Sequence, residues 1–284
     1  MSEALHWLLG PFAHDFMQHA AISCLALGIA APIAGIWATH RRMVYLTDAM
    51  SHAVLAGVAA ASLLGGSLLL GGLGSAAVMA VVVALLVARS RLAEDSAIGI
   101  AGQGLFALGV IGVSLGSDPR ALSHALFGNP LTVTATDLAL QAGLAALVLG
   151  TVVLFLPVLT ATTFDAGHAR SLGVKTTVLD VGLVLALGLV VVVGMTTVGV
   201  LMVVVLCIAP AAGAGLVART LAGTLATAVG LGTAASLGGL LAAYHLALPA
   251  GPVIAVAAVL LVAVCALPRL AVRTHRPAPE GAPA

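Results

Sequence analysis

Between residues 18 and 267 the chain is a succession of nine apolar runs separated by short polar links. Each run is about as long as the ~20 residues a helix needs to cross the hydrocarbon core of a bilayer. Only helices and closed barrels satisfy every backbone N–H and C=O inside lipid. Barrel strands read as ten-residue alternations of apolar and polar residues, whereas these runs are continuous. The pattern therefore predicts an all-α polytopic bundle of eight or nine spans, and composition agrees. The chain is 61% hydrophobic and 7% charged, with mean hydropathy +1.20, where a soluble domain carries about 25% charged residues. A net charge of +1 without a basic stripe excludes a nucleic-acid partner. A multi-pass protein of the cell membrane, surrounded by lipid, is the expectation.

The predicted spans are 18–38, 43–65, 67–88, 97–116, 135–157, 178–194, 196–217, 222–244 and 250–267. They make one domain over 1–268, with residues 1–17 as an interfacial segment and 269–284 as a disordered tail. Ten of the eleven basic residues fall on links of one side, Arg120 being the exception. The excess of Lys and Arg makes that side cytoplasmic. At Gly194-Met195-Thr196-Thr197 two runs nearly merge, so eight crossings plus a broken element is the alternative to nine.

Within the second run, Asp48 and His52 stand four residues apart. On a helix that spacing puts both side chains on one face, about 6 Å apart. In a helix over 43–65, at 1.5 Å rise per residue, His52 lies roughly 3 Å and Asp48 roughly 9 Å from the midplane. Ionisable groups at that depth cost on the order of 2.5 to 3.5 kcal/mol and mark pathways or sites. A pair that only fixes helix packing is the competing reading.

Further features bear on mechanism. Pro210 lies inside an apolar run, where a missing N–H and a clash with the preceding turn predict a helix break or bend. The link 160–177 contains a short capped helix, with Asp165 as N-cap and Gly173 as left-handed stop. His168 and Arg170 lie on it, and Ala169 and Leu172 share a face, so it can dock on a cytoplasmic partner. No GxxxxGK[ST] loop, HExxH or serine elbow is present, so the chain is predicted not to be an enzyme. Active transport then needs another subunit or an ion gradient.

Arg41-Arg42-Met43 with Asp48-Ala49-Met50-Ser51-His52-Ala53-Val54-Leu55-Ala56-Gly57 resembles a signature of permease subunits of metal-ion ABC importers, the zinc, manganese and iron uptake systems. The likeness continues at Asp95-Ser96-Ala97-Ile98-Gly99-Ile100, Leu126-Phe127-Gly128-Asn129 and Phe164-Asp165 through Leu172-Gly173. It ends with Val198-Gly199-Val200-Leu201 through Pro210-Ala211-Ala212, and with Leu248-Pro249-Ala250-Gly251-Pro252. The resemblance implies a type II-like permease that works as two copies, with a cytoplasmic ATP-binding subunit and an extracellular metal-binding protein. Asp48 and His52 would be pathway ligands and 165–172 the coupling helix. No cofactor is held permanently; the metal is cargo. Where many relatives carry acids, this chain has Asn129 and Ala247, and it offers His124 and His245 near the outer side. With His14 and His19 these are candidate accessory ligands. Imidazole favours zinc over manganese, so the expected order is zinc, manganese, iron. The alternatives are a secondary metal/proton carrier and a siderophore- or cobalamin-type ABC permease.

Overall fold

The computed structural model describes residues 10–90, 92–116, 133–164, 176–195 and 198–274, with Gly128, Gly167, Ser171 and Val174. All regular structure among the described residues is helical. A 3-10 turn, Gly10–Ala13, precedes α1 (Asp15–His40), α2 (Val44–Leu63), α3 (Leu68–Ser90) and α4 (Glu94–Leu115). Then come α5 (Ala135–Phe164), α6 (Thr176–Gly194), α7 (Val200–Val217), α8 (Leu221–Leu246) and α9 (Ala250–Thr274). One helix therefore stands for each predicted span. Seven have the length and apolarity to cross a membrane; α6 and α7 carry shorter described apolar stretches, Leu185–Gly194 and Met202–Val217.

Two ends differ from the sequence expectation. Helix α5 continues past residue 157 to Phe164 because its terminal threonines are satisfied inside the helix. Thr160 Oγ1 donates to the Leu156 carbonyl (2.6 Å) and Thr162 Oγ1 to the Val158 carbonyl (2.8 Å). Helix α9 runs to Thr274, past the predicted start of the tail, whose residues 275–284 lie outside the described residues. Pro210 does not break α7, which is helical from Val200 to Val217. A proline there frees one carbonyl a turn earlier without forcing the chain out of the helix, a loss that membrane helices tolerate. The interruption instead lies between Gly194 and Val200, where Gly199 takes φ 89°.

Tight reversals join the helices. Arg42 is left-handed (φ 59°), its N–H donating to the Thr39 carbonyl and that of Met43 to the Ala38 carbonyl (2.7 Å). This is a Schellman closure that satisfies the last carbonyls of α1. Gly65 and Ala247 close α2 and α8 the same way. At the start of α5, Thr134 and Asp137 cap each other: Asp137 Oδ2 accepts from the Thr134 N–H (3.0 Å) and Thr134 Oγ1 from the Asp137 N–H (3.2 Å).

Helix α1 is the hub, with 78% of its apolar stretch buried, packed against α5, α6, α7 and α8. Its buried Ser23 donates to Gln141 Oε1 of α5, a polar clasp inside the bundle. Helix α2 lies between α3 and α4, and α6 touches α1, α2, α3, α5 and α7. Missing side chains make these approaches possible, since small residues let helix backbones meet in lipid. Gly57 of α2 faces the Gly71 carbonyl of α3, and Gly35 of α1 faces the Cys207 carbonyl of α7.

Candidate metal pathway

Helix α2 begins at Val44, so Asp48 sits in its second turn and His52 one turn further. The i,i+4 spacing brings His52 Nε2 to 3.9 Å from Asp48 Oδ2. That is too long for a hydrogen bond. A cation with bonds of about 2.0–2.2 Å holds neighbouring ligands roughly 3 to 3.5 Å apart, so a small rotamer change suits the pair to share one ion. Half of the Asp48 side chain is exposed, whereas His52 is 16% exposed. His52 Nδ1 is buried with no hydrogen-bond partner among the described residues. The nitrogen nearest the carboxylate is Nε2, and the ring is held by packing.

The packing comes from α4. The Phe106 ring meets the His52 ring edge to face, centroids 4.9 Å apart. A Cβ on Gly102 would lie 2.8 Å from the Ala49 Cβ, and one on Gly109 2.8 Å from the Ala56 N. Gly102, Phe106 and Gly109 follow the i, i+4, i+7 pattern of one helix face. The two glycines draw α4 onto α2, and the phenylalanine between them closes over the imidazole. Sequence reasoning missed Phe106; the signal available was an aromatic flanked by glycines on one face.

The other candidates do not gather here. No group of three or more His, Cys, Asp or Glu able to hold a metal occurs among the described residues. His14 is exposed and stacked on Phe16, centroids 5.4 Å apart. His19 is half-buried in α1, and His245 is half-buried near the end of α8 against the Tyr244 ring. His124 lies outside the described residues. So do Asp165, His168, Ala169, Arg170, Leu172 and Gly173; Gly167 and Ser171 between them are helical. An apolar cavity of about 480 Å³ lies elsewhere, between α1, α3, α5 and α6, and includes Trp37, Phe155 and Leu183 in its wall. Its described lining offers no carboxylate, imidazole or thiol, so it is not a cation site.

A bundle with seven described helices long and apolar enough to cross a bilayer defines the class of multi-pass membrane proteins. The chain belongs to the ABC 3 transport family, whose model matches residues 13–268. It is 34% identical over 250 residues to the manganese import system permease protein ScaB of Streptococcus gordonii, covering 87% of this chain and 90% of that one. It is 33% identical over 246 residues to the chelated iron transport system membrane protein YfeD of Yersinia pestis, covering 87% and 83%. Among solved structures, PsaBC from Streptococcus pneumoniae in complex with Fab superposes with TM-score 0.88 at 31% identity, covering 93% of this chain and 95% of that one. The protein is thus an integral membrane permease, homologous to those of metal-ion ABC importers.

Proposed function

We propose that the chain is the transmembrane subunit of an ATP-driven importer of a divalent transition metal, with manganese(II) first among its cargoes, then iron(II) and zinc. The observation that carries this reading is the Asp48–His52 pair, one oxygen and one nitrogen donor 3.9 Å apart on α2. Two protein ligands completed by water hold an ion without trapping it, as a closed four-ligand cage would. The zinc-first expectation leaned on a nitrogen-rich set of His52, His124 and His245. With no third donor joined to the pair among the described residues, the set in hand is a mixed one, and carboxylate with water suits manganese. Relatives named for manganese and iron support the same order.

In this reading the energy comes from separate cytoplasmic ATP-binding subunits, since the sequence has no phosphate loop. An extracellular metal-binding protein delivers the ion. A second permease copy faces the first, and the half-exposed Asp48 side chain at membrane depth supports such a neighbour. Asp48→Ala and His52→Ala are each expected to abolish metal uptake while the protein stays in the membrane at wild-type amounts. Wild-type uptake by both variants would overturn the pathway role and leave the pair a packing element.

A further inference from the structure

At the end of the bundle that carries the basic links, Arg41 reaches from the C-terminus of α1 to the C-terminus of α5. Its Nη2 donates to Thr162 Oγ1 at 2.7 Å and its Nε to Thr163 Oγ1 at 3.2 Å. Thr162 is suited to receive it, because its own hydroxyl hydrogen is directed at the Val158 carbonyl (2.8 Å) and the Leu159 carbonyl (3.2 Å), leaving the oxygen to accept. The planar guanidinium engages two neighbouring hydroxyls at once, a geometry that a lysine ammonium does not reproduce. Burial lowers the guanidinium pKa from its usual value, the direction expected for a charge drawn out of water.

The chain positions on either side of this clasp give it meaning. Arg41 caps α1 and stands three residues before the start of α2, the helix that carries Asp48 and His52. Thr162 and Thr163 are followed by Phe164, where α5 ends and the expected docking helix 165–172 begins. Helices α1 and α2 make few contacts with each other along their lengths, so between these two helices the turn through Arg41 is the main connection, while α3 and α4 hold the body of α2.

We propose that Arg41 is a positioning residue, which through Thr162 and Thr163 links the docking segment after α5 to the start of the metal-bearing helix α2. This inference rests on the ATP-driven reading above. The test uses the full complex of permease and ATP-binding subunit in proteoliposomes, with the metal-binding protein supplied and radioactive manganese(II) as probe. For Arg41→Lys, and separately for Thr162→Val with Thr163→Val, metal moved per ATP hydrolysed is expected to fall about fivefold or more, the range of ordinary site-to-site coupling. Recovery of the complex and its ATPase rate are expected to stay within about twofold of wild type. The three changes combined should lower the ratio no further than the poorer of the two variants. An unchanged ratio in both variants, or uptake and hydrolysis falling together, overturns the role and reduces the clasp to a staple. A wild-type complex without ATP-driven uptake overturns the functional reading itself, and the coupling role with it.

Discussion

Ala247 holds a backbone conformation that alanine disfavours, φ 52° and ψ 40°, to close the end of α8. An L-residue with a Cβ pays roughly 1–2 kcal/mol there. Ala247→Gly is therefore expected to stabilise the protein by about 1 kcal/mol, read as a higher Tm in detergent; an unchanged or lower Tm would show that the strain is relieved elsewhere. Arg42 makes the same closure after α1. At this scale the sequence was partly readable. That Asp48 and His52 share a face followed from their spacing, because a helix fixes which residues lie side by side. Phe106 was not, because its meeting with His52 depends on how closely α4 lies against α2. That distance is set by Gly102 and Gly109 in partnership with Ala49 and Ala56 of another helix.

Helices were the most legible level, since a run of apolar residues long enough to cross lipid has no stable alternative to a helix. Among the described residues a helix stands at each of the predicted runs. Their ends were harder, because hydropathy reads Thr160, Thr162 and Thr163 as the start of a loop, whereas their hydroxyls fold back onto their own helix. Pro210 leaves α7 continuous for a related reason: one missing donor does not end a helix packed on both α1 and α9. Between α5 and α6 the sequence argues for a capped docking helix. Replacing Asp165 and Gly173 with alanine and valine is expected to weaken copurification of the ATP-binding subunit. Loss of an N-cap alone costs about 1 kcal/mol, enough to fray two isolated turns. Undiminished copurification and uptake in the double variant would place docking elsewhere.

For the whole molecule, α1 and α6 make the connections, and the Asp48–His52 pair sits on a helix held between α3 and α4. The order of cargoes belongs to this scale, because it reflects every donor the assembly brings to the ion and not one side chain. Radiotracer uptake in cells lacking other importers is expected to be highest for manganese, as suits a site of carboxylate and water. Zinc uptake exceeding that of manganese, and suppressed by no excess of it, would restore the nitrogen-rich alternative.

The backbone meetings at Gly35 and Gly57 also bear on how such a chain drifts over generations. A descendant that acquired even a methyl at either position would keep Asp48 and His52 and a nearly unaltered hydropathy profile. It would still inherit a bundle whose helices no longer meet, and its deficit would be one of assembly, silent in every feature by which the transport chemistry is read.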